Sequence, residues 1–170
     1  MTIDTMDDLF LEQIEDLYDA EKRLVKALPK MAEASTSQAL RHAFESHLEQ
    51  TRGHVQRLET IFRQLGKDPK AETCEAMKGL IEEGEDTIGD IDNLALRDAG
   101  VIAAANRVEH YEIAAYGSAK SFAKTLGYQE AVSLLEQTLQ EEKEADKKLT
   151  SIAESTVNKE ALSSSRLQPR

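Results

Sequence analysis

The chain has 170 residues, a formal net charge of −11, no tryptophan, three prolines and one cysteine. Such an acidic balance argues against binding nucleic acid or an anionic membrane, since either requires a basic face. The single cysteine, Cys74, excludes an intramolecular disulfide framework and agrees with a reducing compartment. No signal peptide and no membrane-spanning run is evident, so we expect a cytoplasmic protein without nucleic-acid or membrane partners.

The first part of the chain predicts two helices joined by a short turn. Asp4 or Thr5 can cap a first helix that ends at the Ser-Thr-Ser cluster of residues 35–37. This cluster forms the turn and offers the next N-cap. The second helix then runs to about Leu65, where Gly66 ends it.

A second pair of helices follows a long irregular stretch. From residue 67 to about residue 93, glycines interrupt a single short apolar piece, which predicts a connection containing a short helix. A third long helix covers roughly residues 94–126 and stops at Gly127, and a fourth covers roughly residues 129–155.

Two helical hairpins joined by such a long connection are typical of one fold class. We expect an all-α, ferritin-like four-helix bundle with one long crossover connection that contains a short helix. The alternative is a set of five or six irregularly packed helices, which needs no crossover. The bundle is predicted to form one domain over residues 1–158, followed by a disordered tail over residues 159–170.

Polar residues interrupt the apolar face of every long helix. Apolar side chains recur at spacings of three and four and mark the buried face. The interruptions are the candidate metal ligands: Glu21 in the first helix, His47 and His54 (with Thr51 between them) in the second, Glu109 and Glu112 in the third, and Glu142 in the fourth, with Asp146 one turn later at the edge of the face. Any one of them alone would be an ordinary core histidine or a register-setting polar residue.

These interruptions lie at one height in the predicted bundle. In the first hairpin, Glu21 lies about 15 residues before the turn at residues 35–37 and Thr51 lies about 15 residues after it. In the second hairpin, Glu112 and Glu142 lie about 15 residues before and after the turn at Gly127. At about 1.5 Å per residue, each position is roughly 22 Å from its turn. All four positions therefore fall in the middle of helices about 30 residues long.

Several carboxylates that converge in an apolar core cannot all stay ionised and unpaired, because desolvation and mutual repulsion would be too costly. No lysine or arginine lies on the apolar faces at this height. Either some of the carboxyl groups are protonated or cations are bound. Oxygen donors with imidazole and without thiolate suit iron or manganese, with zinc as a substitute, and two divalent ions would balance about four carboxylates.

Six segments carry a family resemblance: DLYDAEKRL (16–24), SHLEQTRGHVQRLE (46–59), GLIEE (79–83), RDAGVIAAANRVEHYEIAAYG (97–117), LGYQEAV (126–132) and TLQEEKEADKKL (138–149). Across about residues 5–158 the sequence resembles the YciE/YciF-like family of bacterial stress proteins. The ligand pattern is also similar to that of the ferritin-like di-metal carboxylate proteins, in which two helices each give a Glu and two give a Glu with a His three residues later.

The resemblance implies a small homodimeric bundle linked to stress responses, with metal bound in its core and no established biochemical activity. By position, Glu21 is the first-helix carboxylate, Glu109 and Glu112 are the third-helix pair, and Glu142 with Asp146 serves the fourth helix in place of Glu-x-x-His.

The second helix departs from the family pattern. His47 matches, but relatives more often have Glu at the position of Gln50, and they can have Gln at the position of His54. The chain has on this interpretation exchanged a carboxylate for an imidazole. His110 points away from the apolar face and is interpreted as an outer or surface residue.

Two functions remain open from the sequence. The first is a di-iron or di-manganese protein that reacts with O₂ or peroxide or oxidises Fe(II), with Tyr18 and Tyr116 one turn from ligands as possible hydrogen-bond donors. The second is a non-enzymatic, stress-induced structural or interaction protein whose metal mainly stabilises the bundle. A histidine phosphotransfer bundle is disfavoured, because His47 and His54 lie on buried faces.

Overall fold

Every regular element is helical in the computed structural model, which describes residues 2–166. The elements are, in chain order, α1 (Met6–Ala34), α2 (Gln38–Gln64), α3 (Glu75–Asp90), α4 (Leu94–Leu126), α5 (Gln129–Ile152), a π-helical turn (Ala153–Val157) and α6 (Asn158–Arg166). Within the described range, none of these helices combines the length and the apolar character that crossing a bilayer requires.

The helix ends follow from the local sequence. Thr5 and Asp8 form a reciprocal capping box at the start of α1, and the Ser37 side chain caps α2. Asn93 caps α4 in the same way, and Gly127 ends that helix in the left-handed conformation, at φ +79°. The predicted ends of the first three long helices are therefore confirmed to within a residue or two.

Four helices form the bundle. α1 packs against α2 and α4, and α5 packs against the same two neighbours. Near the start of α4, Asp98 accepts a hydrogen bond from the Thr36 backbone N–H in the α1–α2 turn (3.0 Å). At the other end, Tyr128 in the α4–α5 turn donates to Asp7. Because the two turns lie at opposite ends, the segment between α2 and α4 must travel the length of the bundle, which confirms the ferritin-like fold with one crossover.

The crossover and the C-terminal residues both pack onto the bundle. α3 lies against α1 and α4 and buries Cys74 and Met77. Residues 159–166, which the sequence suggested were disordered, instead continue the chain as α6. This helix packs against α4, as does the π-helical turn before it. Val157 in the turn and Ala161 in α6, four residues apart, supply a narrow apolar face and are both buried. That prediction was wrong for this stretch, and residues 167–170 lie outside the described range.

The apolar core is divided into two clusters. One, toward the α1–α2 turn, includes Leu24, Leu40 and Ile102. The other, toward the α4–α5 turn, includes Phe10, Leu58 and Leu135. The side chains that separate the two clusters are ionisable.

Candidate metal centre

Six of the seven predicted ligands converge in a layer between the two core clusters. Glu21, His54, Glu112 and Glu142 are 0% exposed, and His47 and Glu109 are 5% and 3% exposed. Each of the four bundle helices contributes at least one of them: α1 Glu21, α2 both histidines, α4 Glu109 and Glu112, and α5 Glu142. Counting residues along predicted helices thus placed these side chains at the correct height.

The layer contains two groups of donor atoms that share one residue. In the first, His47, Glu109, Glu112 and Glu142 each offer a nitrogen or oxygen atom within 4.8 Å of the others, and in the second Glu21, His54 and Glu142 do so. His47 Nε2 lies 3.4 Å from Glu109 Oε1 and 3.3 Å from Glu142 Oε2. His54 Nδ1 lies 3.2 Å from Glu21 Oε1 and 2.9 Å from Glu142 Oε1. Glu142 directs one oxygen at each histidine and could bridge two ions.

Hydrogen bonds orient both imidazole rings toward the layer. His47 Nδ1 is 3.1 Å from Gln50 Oε1, and His54 Nε2 is 2.7 Å from Glu141 Oε2. Since each acceptor holds the proton on the outer ring nitrogen, the inner nitrogen of each neutral ring carries a free lone pair. This is the arrangement that metal-ligating histidines adopt.

An ion pair supports His54 from outside the layer. The Arg57 guanidinium donates to both oxygens of Glu141 (2.8 Å each) and to Thr138 Oγ1 (3.1 Å). Although burial raises the pKa of Glu141, its hydrogen bonds from Arg57 and His54 lower that pKa overall. Glu141 stays ionised and holds the ring. Glu141 is not among the residues that interrupt the apolar faces, so the sequence alone did not indicate this role.

The inner atoms of the layer lack partners. In the described residues, nine buried side-chain nitrogen or oxygen atoms have no hydrogen-bond partner, and eight of them belong to this layer. They are Glu21 Oε2, His47 Nε2, His54 Nδ1, Glu109 Oε2 and both oxygens of Glu112 and of Glu142. Buried polar atoms are normally paired, so such a concentration requires an explanation.

The carboxyl groups of the layer are also electrostatically unfavourable. Burial raises the pKa of Glu112 and of Glu142 well above the usual value, and the neighbouring carboxylates raise both further. Burial raises the pKa of Glu109 too, with partial compensation from His47. These groups resist ionisation unless a positive charge stands among them.

Of the two tyrosines proposed as hydrogen-bond donors, one reaches a predicted ligand. Tyr116 is fully buried and donates from its hydroxyl to Glu21 Oε1 at 2.5 Å. It thereby fixes one oxygen of Glu21 and leaves the other free. Tyr18 instead donates to Glu59 (3.0 Å) and does not touch the layer.

Asp146 is the one predicted ligand that the structure does not bring to the layer. Its Oδ1 accepts a hydrogen bond from Asn106 Nδ2 at 2.6 Å and lies 3.2 Å from Nε2 of the exposed His110. Both partners are on α4, on the outer side of the α4–α5 contact. His110 is thus an outer residue, as expected, and Asp146 pairs with it.

The residues present suit divalent ions. The donor set is four carboxylates and two imidazoles without sulfur, which fits iron or manganese and admits zinc. The unpartnered atoms are the ones that ligation would satisfy, and two divalent charges per layer would offset the repulsion among the carboxylates. The layer could therefore hold metal, and Glu142 belongs to both groups of donor atoms.

Comparisons with known proteins agree with this fold. A family model described as "Domain of unknown function (DUF892)" matches residues 5–162. Protein YciF of Escherichia coli (strain K12) is 44% identical over 162 residues, which cover 95% of this chain and 98% of that protein. The crystal structure of the E. coli stress protein YciF matches with a TM-score of 0.88 at 44% identity, over 92% of this chain and 99% of that one.

Two further solved structures are similar. YcfI from Rhodopseudomonas palustris, a candidate structural protein, matches with a TM-score of 0.86 at 43% identity, over 87% of this chain and 94% of that one. A protein from Xanthomonas campestris pv. campestris matches with a TM-score of 0.76 at 20% identity, over 96% of this chain and all of that one, and supports the fold alone.

Proposed function

This chain belongs to the DUF892 family, and we propose that it is a di-metal carboxylate protein of the bacterial stress response. Its buried layer would hold two iron or manganese ions, and it would react with O₂ or peroxide or oxidise Fe(II). The observation that carries this proposal is the set of eight unpartnered, fully buried ligand atoms. The connection to stress rests on the similarity to the E. coli stress protein YciF.

The residues divide the work of binding. One ion would be held by His47, Glu109 and Glu112, and the other would be held by Glu21 and His54. Glu142, which belongs to both groups, would be shared between the two ions. A bound pair of iron or manganese ions would supply one-electron chemistry toward O₂ or peroxide. The protein contributes an apolar cover, since one core cluster lies above the layer and the other below it.

Metal titration tests the proposal directly. Protein freed of metal with a chelator should take up two Fe(II) per chain without air, and exposure to air or peroxide should then change its optical spectrum. Glu142→Gln removes the shared ligand and should lower the uptake to one ion or fewer. Glu45→Gln, an exposed change on α2, is the matched control and should bind as the wild type does. A wild-type chain that is folded and binds no ion would contradict the proposal.

A structural role is the second candidate. The layer separates the two core clusters and contains ligands from all four bundle helices, so bound ions would link those helices to one another. In this case chelation should lower the melting temperature strongly, whereas the metal-loaded protein should consume neither O₂ nor peroxide. Measuring melting and oxidant consumption on the same preparation separates the two candidates.

A further inference from the structure

A cavity of about 170 Å³ connects the surface with one side of the layer. It lies between α2 and α5. Exposed residues line its mouth, among them Ser46 on α2 and Glu144 and Lys148 on α5. Two ligands of the layer, His47 and Glu109, line it as well, and both are buried. The cavity thus leads from solvent to the metal-facing side chains.

The two donor groups of the layer differ in their access to this cavity. Glu21, His54 and Glu142 are fully buried and, among the described residues, are not part of the cavity wall. The second group is enclosed instead: Tyr116 covers Glu21, and the Glu141–Arg57 ion pair covers the outer edge of His54. Only the first group, through His47 and Glu109, meets the cavity.

We propose that this cavity is the access port of the centre, through which divalent cations and then a small oxidant reach the His47 side first. This inference rests on the proposed function. The supporting geometry is the difference between the two sides of the layer: the side at His47 and Glu109 meets the cavity, whereas the side at His54 is closed. His47 Nε2 and Glu109 Oε2 on the open side lack hydrogen-bond partners.

The size and the charge of the port define what it admits. A volume of about 170 Å³ holds several waters, since one water occupies about 30 Å³ of liquid. It is smaller than the pockets of about 300–1,000 Å³ that hold drug-sized ligands. A divalent ion that has lost part of its hydration shell, O₂ or hydrogen peroxide fits, whereas a drug-sized organic peroxide does not. The negative charge of the whole protein raises the local concentration of cations at the mouth.

A loading order follows from the asymmetry. The first ion enters at His47 and Glu109, and the His54 side fills only by transfer across Glu142. Release should run in the opposite order, so that the ion beside His47 leaves quickly and the ion beside His54 leaves slowly. The two ions of one chain should therefore exchange at different rates.

Blocking the mouth tests the port. Ser46→Trp places a large ring over the opening, and Ala145→Leu fills the cavity from α5. Ser118→Trp, on an exposed position of α4 away from the cavity, is the matched control. Each variant, freed of metal, is mixed with Co(II) in a stopped-flow spectrometer, and the bound cobalt is followed by its visible absorption. The loaded proteins are then mixed with EDTA.

The wild type should load and release cobalt in two phases of one ion each. Ser46→Trp and Ala145→Leu should slow both phases at least tenfold and still reach two ions per chain, whereas Ser118→Trp should match the wild type. The proposal that this cavity is the access port would be contradicted if both cavity variants showed wild-type rates, or if the control were slowed equally. A single release phase of two ions would overturn the loading order. A wild-type protein that binds no cobalt would refute the proposed function itself, which distinguishes the two failures.

Discussion

Replacing Glu112 by glutamine tests whether the metal-free layer is held against electrostatic repulsion. The Glu112 carboxyl group is fully buried, and neither of its oxygens has a hydrogen-bond partner. Burial, followed by the charges of Glu142, Glu21 and Glu109, raises its pKa. A glutamine of the same shape carries no charge and can donate to a neighbouring carboxylate. Metal-free Glu112→Gln should therefore be more stable than the metal-free wild type at neutral pH.

The sign and size of the pH dependence follow from the same pKa shifts. A carboxyl group whose pKa is raised by folding binds its proton more tightly in the folded state. The free energy of unfolding of such a protein falls as the pH rises from the unfolded-state pKa of a glutamate, about 4.3, to its folded-state pKa. The fall is about 1.4 kcal/mol per pH unit for each extra proton that the folded state holds. Three carboxyl groups with raised pKa values contribute to this loss of stability with rising pH: Glu109, Glu112 and Glu142.

His54 adds to the same trend. Burial lowers the pKa of His54, but the nearby Glu21 and Glu112 charges and the Glu141 contact raise it overall. Its stabilising contribution is complete below the unfolded-state pKa of about 6.5 and is lost as pH rises through the folded-state pKa. The metal-free protein should therefore lose stability from about pH 5 to pH 8. The metal-loaded protein should instead become more stable over the same pH range, because ligands that have lost their protons bind metal better.

Urea unfolding in EDTA, followed by far-ultraviolet circular dichroism at several pH values, measures this dependence. Glu112→Gln should reduce the slope by up to one proton, about 1.4 kcal/mol per pH unit, and Glu45→Gln should leave it unchanged. A metal-free wild type whose stability is flat or rises over this range would refute the reasoning. A Glu112→Gln variant that is less stable than the wild type at pH 8 would refute it too.

Three further changes have defined outcomes. Glu141→Gln should weaken metal binding about 10- to 100-fold in a chelator competition, because the proton on His54 Nε2 loses its ionised acceptor, and should leave the helix content unchanged. Asp98→Ala removes a buried carboxylate that accepts hydrogen bonds from the α1–α2 turn, so urea unfolding should show a loss of about 3 kcal/mol with an unaltered metal count. Gly127→Ala should cost about 1 kcal/mol by the same assay, since its φ of +79° is unfavourable for alanine and its Cβ meets no neighbour.

The fold and the height of the layer could be predicted because both depend on regular quantities. An α-helix rises by about 1.5 Å per residue, and the turns at residues 35–37 and at Gly127 carry recognisable signals. Counting from those turns brought Glu21, Glu112 and Glu142 to the same level. The C-terminal helix α6 was not predicted, because the apolar pattern of Val157 and Ala161 is too short to indicate a helix from the sequence alone. The pattern is buried only because α4 packs against it.

Pairing within the layer could not be read from periodicity. Asp146 follows Glu142 by four residues, which displaces it by about 6 Å along α5 and rotates it by about 40°. That rotation is enough for Asn106 and His110 to pair with it outside the bundle. Glu141 lies off the apolar face, and its role depends on Arg57, which belongs to another helix. Helical spacing indicates which face is buried, whereas the partner of each polar group depends on how neighbouring helices are rotated.

The cost of the layer favours metal binding over a purely structural bundle. Replacing buried ionic groups with apolar residues of similar volume is often neutral or stabilising, so helix packing alone gains nothing from four carboxylates and two imidazoles in the core. The layer also comes with the hydrogen bonds that leave the inner histidine nitrogens free, through Gln50 and Glu141. An apolar packing layer would need neither. If the layer costs stability without metal and regains it with metal, the folded state is sensitive to metal supply, and the difference in the free energy of unfolding with and without metal measures that sensitivity.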